Sequence, residues 1–294
     1  MPMLTEKQLK LEDVTLNYAE GPEAGPPLVL LHGLPGRWQE FLPILPPLML
    51  RWHIFAVDAR GQGASGRVPG GYHSSAFGKD FAAFLEQRVK APAVVLGHSA
   101  GGSFALDVAG RVPERVRALI LGDSPLDLEW LRAWMASPGA MGRYKAYRAL
   151  AGSPRPINAM IREVGEIPIV TSDGRSMRLA ERPGIDETEL RQLATALKYL
   201  DPDVVDYQAE GRAEDYLRGI HMDALLSAIK CPMLLIQADP SLGAMMSDRI
   251  VEHVLPMLPQ ATHVKLTGVT HGLGLDRWEV GPLLRVVTAF LETV

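Results

Sequence analysis

Residues Gly97-His98-Ser99-Ala100-Gly101 place a serine inside a G-x-S-x-G pattern. The pattern carries chemistry only where a strand turns sharply into a helix. The turn then lifts the hydroxyl above a sheet and aims the next N–H at a developing oxyanion. Here the apolar run 93–96 precedes it and small residues follow. The bland alternative is an ordinary turn whose serine caps a helix. A second loop, His32-Gly33-Leu34-Pro35-Gly36, follows the apolar run 28–31. Pro35 has no N–H, so Leu34 is the natural second oxyanion donor beside Ala100. His32 itself reads as a buried histidine that holds this loop. Late in the chain, Val269-Thr270-His271-Gly272 follows the apolar run 263–266 and precedes the last helical segment. A histidine there reaches across the top of a sheet to a serine on the elbow, which makes His271 the candidate general base. His263 falls within a strand pattern and His253 on a helix, where packing or solvent is the expected setting.

Three loops of this kind need a scaffold that brings strand ends together. Short apolar runs at 26–32, 53–58, 93–96 and 116–121 alternate with helix-like segments at 77–89 and 101–109. Near-continuous apolar strands fit a parallel sheet covered on both faces, and their order is that of a doubly wound α/β fold. The rhythm changes between about Leu126 and Asp223, where helix-like segments are broken by Pro154, Pro156, Pro168 and Pro183. Strand-like runs resume at 232–236 and 263–266, and an amphipathic helix over roughly 278–293 ends the chain. The expected organisation is an α/β core of 1–125 and 224–294 with a mainly helical insertion over 126–223.

Composition narrows the classes. The 294 residues are 47% hydrophobic and 22% charged, too apolar for a disordered chain. A net charge of −4 argues against a nucleic-acid partner. No apolar stretch approaches the roughly 20 residues that span a bilayer. The charged, alternating start MPMLTEKQLK is unlike a secretory signal, and a single cysteine, Cys231, leaves no intramolecular disulfide or cysteine-based metal cage. The expectation is a cytoplasmic protein without cofactor or metal, acting on a small molecule; a homo-oligomer stays open.

Taken together, HGLPG at His32–Gly36, DARGQG at Asp58–Gly63, GHSAGG at Gly97–Gly102 and GVTHG at Gly268–Gly272 resemble the α/β-hydrolase superfamily over nearly the whole chain. The resemblance implies a mostly parallel eight-stranded sheet flanked by helices, a helical lid inserted between strands six and seven, and a Ser-acid-His triad in that chain order. The insertion at 126–223 falls where that lid belongs. Asp58 and Arg60 match a loop that is usually structural in the family. The acid of the triad most often follows strand seven, but there the usual position aligns with Ser241, two residues after Asp239. The other family placement, after strand six, matches Asp123 in Leu121-Gly122-Asp123-Ser124-Pro125. Asp123 is taken first and Asp239 as the alternative.

A serine at the elbow suits acyl transfer, whereas epoxide hydrolases and haloalkane dehalogenases carry an aspartate there. The expected activity is hydrolysis of a carboxylic ester or lactone of a hydrophobic carbonyl compound. His53–Gly63, the elbow and the Asp123 loop are also similar to zearalenone-type macrolactone hydrolases. Carbon–carbon bond hydrolases of aromatic degradation, cofactor-free perhydrolases and a non-catalytic ligand receptor on the same fold are the alternatives. Substrate contacts are expected from Gly33 and His98 beside the loops and from Trp130, Trp134 and Tyr199 in the insertion.

Overall fold

Strand burial follows from residue alternation. In the run Leu28-Val29-Leu30-Leu31, Leu28 and Leu30 enter one apolar cluster while Val29 and Leu31 enter the other. Every position is therefore buried, as a sheet with both faces covered requires. The computed structural model describes residues 4–170 and 175–294. Its main sheet contains β1 (Thr5–Lys10), β2 (Thr15–Glu20), β3 (Pro27–Leu31), β4 (His53–Val57), β5 (Ala93–His98), β6 (Val116–Gly122), β7 (Met233–Gln237) and β8 (Ala261–Lys265). In space the eight strands run β1-β2-β4-β3-β5-β6-β7-β8. Only the pairs β1–β2 and β2–β4 are antiparallel, and all other neighbours run parallel. The parallel strands consequently deliver their C-terminal loops to one edge.

Among the described residues the α-helices longer than one turn are α1 (Ser74–Phe84), α2 (Ala100–Arg111), α3 (Leu128–Met135), α4 (Pro138–Leu150), α5 (Ile157–Gly165), α6 (Glu187–Lys198), α7 (Met222–Ala228), α8 (Asp248–Val254) and α9 (Gly281–Leu291). Helices α1 and α2 pack one face of the sheet, where the Phe77 and Phe104 rings stack at 4.7 Å. Helix α9 covers the other face with Leu283, Val287 and Leu291. It starts later than the pattern over 278–293 suggests. Trp278 stands at φ 61°, outside helical space, and Pro282 opens the first turn.

Between β6 and β7 the described residues are mainly helical, with a two-stranded antiparallel sheet of Pro168–Val170 and Ser176–Arg178 that periodicity did not suggest. Side chains start its helices: Asp127 accepts from the Trp130 N–H at 2.9 Å, and Asp186 from that of Glu189 at 2.9 Å. Its core, including Leu131, Met135, Tyr144 and Leu197, merges with that of the sheet face under α1 and α2. The expected boundary at 223 falls inside α7. Among the described residues no helix is long and apolar enough to cross a membrane.

Candidate active site

Between β5 and α2 the backbone reverses within one residue. Ser99 sits at φ 54° and ψ −126°, a region that L-residues rarely occupy and that costs on the order of 1–3 kcal/mol. Tight contacts enforce the turn: a Cβ on Gly97 would lie 2.2 Å from the carbonyl oxygen of Gly101, and one on Gly101 2.1 Å from that of Leu31. No other residue fits at either place. Ala100 opens α2, so its N–H has no acceptor within the helix. Leu34, Ser99 and Ala100 border one pocket. His32 anchors the Leu34 loop, since its Nε2 accepts the Ala59 N–H at 3.0 Å and its Nδ1 lies 2.8 Å from the Gly33 carbonyl oxygen.

The loop after β8 carries His271 over the elbow. Its Nε2 lies 3.0 Å from Ser99 Oγ, and its Nδ1–H donates to Asp123 Oδ2 at 2.6 Å. Asp123 is completely buried. Its carboxylate also accepts the N–H groups of Met245 at 2.8 Å, Met246 at 3.2 Å and Ala238 at 3.3 Å. Burial alone would raise its pKa, but the His271 bond, the His271 charge and the Met245 and Met246 N–H groups outweigh it and hold the carboxyl below its ordinary range. Asp123, His271 and Ser99 thus form one hydrogen-bonded chain, an arrangement able to move the Oγ proton onto an imidazole held in one tautomer.

The alternative acid does not join it. Asp239 stays at the surface, where its carboxylate accepts the Ser241 N–H at 3.0 Å, the Ser241 hydroxyl at 2.7 Å and the Gly268 N–H at 2.8 Å. Its own N–H donates to Val269 O at 2.8 Å, which ties it to the loop before His271.

The pocket beside Ser99 is bordered below by Leu34, Ser103, Pro125 and Met245 and above by Leu128, Leu131, Trp134, Met135, Tyr144 and Tyr216. Of the five residues expected to touch substrate, Trp134 borders this pocket and the other four do not. Gly33 is buried against the Ser99 Cβ. His98 points away from the pocket into a buried ion pair with Glu40. Trp130 stacks on Trp134 at 6.0 Å from outside the lining. Tyr199 is 48% exposed, with the Arg37 guanidinium over its ring. Sequence reasoning missed Glu40 and also Gln208, a pocket-lining amide whose buried Oε1 has no hydrogen-bond partner. Asp58 and Arg60 brace the scaffold: Asp58 accepts from Trp38, Asn17 and Ala64, and Arg60 pairs with Asp80 through two bonds of 2.6 Å.

Comparison with known proteins bears on the fold. A family model described as the alpha/beta hydrolase fold matches residues 26–165. Over those residues, a little under half of its length, the chain is similar to the α/β-hydrolase family. It is 28% identical over 117 residues to the 2-(acetamidomethylene)succinate hydrolase of Mesorhizobium japonicum, a match covering 40% of this chain and 42% of that protein. The chain spans less than half the length of the curated relatives it matches. The crystal structure of E-2-(acetamidomethylene)succinate hydrolase superposes with a TM-score of 0.74 at 21% identity, over 99% of this chain and 100% of that one. Est816, an N-acyl homoserine lactone degrading enzyme, gives 0.70 at 20% identity, over 97% and 100%. At these identities the structural likeness speaks for the fold alone.

Proposed function

We propose that this protein is a serine hydrolase that cleaves a carboxylic ester or lactone of an uncharged, largely apolar small molecule. The observation that carries the reading is the Asp123–His271–Ser99 chain of 2.6 and 3.0 Å ending at an apolar pocket. His271 takes the Ser99 proton as Oγ attacks the carbonyl carbon, and the oxyanion rests on the N–H groups of Leu34 and Ala100. His271 then protonates the leaving alkoxide, which in a lactone stays tethered to the acyl group. Water, deprotonated by the same imidazole, attacks the acyl-enzyme and restores Ser99. Each oxyanion donor is worth about 100- to 1000-fold in rate.

Substrate class follows from the lining. Apart from His271 at the Ser99 end, no lysine, arginine or histidine among the described residues borders the pocket, so no fixed cation there would neutralise a dicarboxylate. The chemistry named for the 2-(acetamidomethylene)succinate relative is for that reason not assigned to this site. Gln208 offers an amide to a hydroxyl or carbonyl group remote from the scissile bond. Residues 126–223, which contribute the pocket's roof, act as the lid that sets this selectivity. A panel of p-nitrophenyl esters, lactones of different ring size and vinylogous diketones tests the reading. Ester or lactone turnover that Ser99→Ala abolishes supports it. Diketone cleavage without ester or lactone turnover overturns it in favour of a carbon–carbon bond hydrolase, and tight binding without turnover in favour of a receptor.

A further inference from the structure

His98 lies one residue before Ser99, yet its ring turns away from the pocket and is 9% exposed. Its Nδ1 stands 2.6 Å from Glu40 Oε1 and its Nε2 stands 2.8 Å from the backbone carbonyl oxygen of His271. Both partners only accept hydrogen bonds, provided Glu40 is ionised. A neutral imidazole has one N–H and one lone pair, so in either tautomer it sets a lone pair against one of these oxygens. Only a ring with protons on both nitrogens satisfies both contacts.

We propose that His98 is an imidazolium at neutral pH, paired with Glu40, that pins the His271 loop over Ser99 as a positioning residue. The pair joins three pieces of the site. Glu40 belongs to the short helix Trp38–Phe41 that follows the Leu34 loop, His98 ends β5, and His271 sits in the loop after β8. The charges around the ring favour the proton. Glu40 faces it from the Trp38–Phe41 turn and Asp123 from the end of β6, while Asp276, in the turn following His271, feels its charge. Against them stand His32, near Glu40 from the loop after β3, and the His271 ring, whose centroid is 5.1 Å from that of His98. Burial pushes the His98 pKa down, but the Glu40 charge and bond, then the His271 carbonyl, lift it to about 9. Loss of the proton has a directed consequence. The remaining N–H stays on the Glu40 carboxylate, the stronger acceptor, and the contact released is the one to the catalytic loop.

Glu40→Gln separates this role from mere packing. The side-chain amide that this substitution introduces can donate to Nδ1 of a neutral His98, leaving Nε2–H on the His271 carbonyl at every pH. The readout is the rate at which a fluorophosphonate labels Ser99 between pH 6 and 10, which rests on the serine-hydrolase reading. In the wild type the rate should fall about 10-fold between pH 8 and 10, as expected for a pKa of about 9; in Glu40→Gln it should stay flat. His98→Phe, which keeps a ring but no N–H, should label about 10- to 100-fold more slowly at all pH values. Nitrogen-15 spectra of the imidazoles, which need no turnover, should find both His98 nitrogens protonated at pH 7. A neutral His98 in those spectra, or an alkaline fall that persists in Glu40→Gln, overturns the inference. Labelling that survives Ser99→Ala overturns instead the serine-hydrolase reading and leaves the spectra as the deciding measurement.

Discussion

Two aspartates follow neighbouring strands and leave the sheet on the same side, Asp123 after β6 and Asp239 after β7, and their surroundings are opposite. Asp123 is shut away from solvent at φ 39° and accepts three N–H groups besides the His271 ring. Asp239 caps its own turn at the surface. All three backbone donors to Asp123 come from the segment after β7, through Ala238, Met245 and Met246. That segment therefore supplies a cage for the acid instead of an acid. A carboxylate orients a histidine when its other lone pairs are held by fixed donors in a dry place, whichever strand it follows.

The largest effect that can break this comparison is on turnover. Asp123→Asn removes the charge opposite the His271 ring and offers an N–H where an acceptor is needed, so the imidazole loses its tautomer. A fall in kcat of up to about 10,000-fold is expected, by the serine-protease precedent. Asp239→Asn should leave kcat within about 2-fold of wild type, since exposed capping groups away from reacting atoms act on stability alone. Steady-state kinetics of both variants on one ester decide it; a collapse in Asp239→Asn with Asp123→Asn near wild type would reverse the assignment.

The second comparison lies within the insertion, where Trp134 borders the pocket and Tyr199 faces solvent. Trp134→Ala should change the ratio of kcat/KM between a bulky and a small acyl group by about 10- to 200-fold, the range that apolar pocket contacts command. Tyr199→Ala should leave that ratio unchanged. Equal behaviour of the two variants would remove the insertion's claim on specificity.

How far the sequence could be read follows the same division. The elbow, the Leu34 loop and the His271 loop were legible because each rests on a local constraint: glycines where Cβ atoms collide, a proline without N–H, a loop after an apolar strand. The parallel strands β3 to β7 were legible because strands buried on both faces are apolar throughout, whereas β1 and β2 were not read, β1 being exposed and polar. Pocket lining was not. Trp130 and Trp134 are four residues apart and share a face of α3, so only the packing against Tyr144 and the stacking of the two indoles decide which one reaches the cavity. Glu40 lies 58 positions from His98, and nothing local in either segment announces the pair. The choice between Asp123 and Asp239 likewise turns on donors from a segment more than a hundred positions away.

A smaller effect separates His98 from its neighbours on the stability curve. Its folded pKa of about 9 lies above the ordinary histidine value of 6.5, so the stabilisation from the Glu40 pair is complete below about pH 6.5 and is lost as pH rises through 9. Wild-type melting temperature should therefore decline between pH 7 and 9.5, and Glu40→Gln should lose that decline. Parallel slopes in the two proteins would mean that His98 is neutral in the fold.

The smallest effect belongs to Asp239. Its carboxyl is held below the ordinary value of 3.8 by the Gly268 N–H first, then by the Ser241 hydroxyl and N–H. A depressed carboxylate contributes stability above its unfolded pKa and loses it as pH falls through the folded one. Asp239→Asn keeps one oxygen acceptor, for the Ser241 groups, and forfeits the charge and the surface bond from the Gly268 N–H. Its melting temperature at pH 7 should thus lie no more than about 2 °C below wild type. Because that charge disappears from the wild type in acid, the difference should close as pH drops below about 4. Asp123→Asn tests the contrast at neutral pH, where the buried cage makes its loss several times larger than that of Asp239→Asn. Equal losses in the two variants would mean that the donors around Asp123 add nothing that the exposed cap lacks, and burial would then not be what distinguishes the two carboxylates.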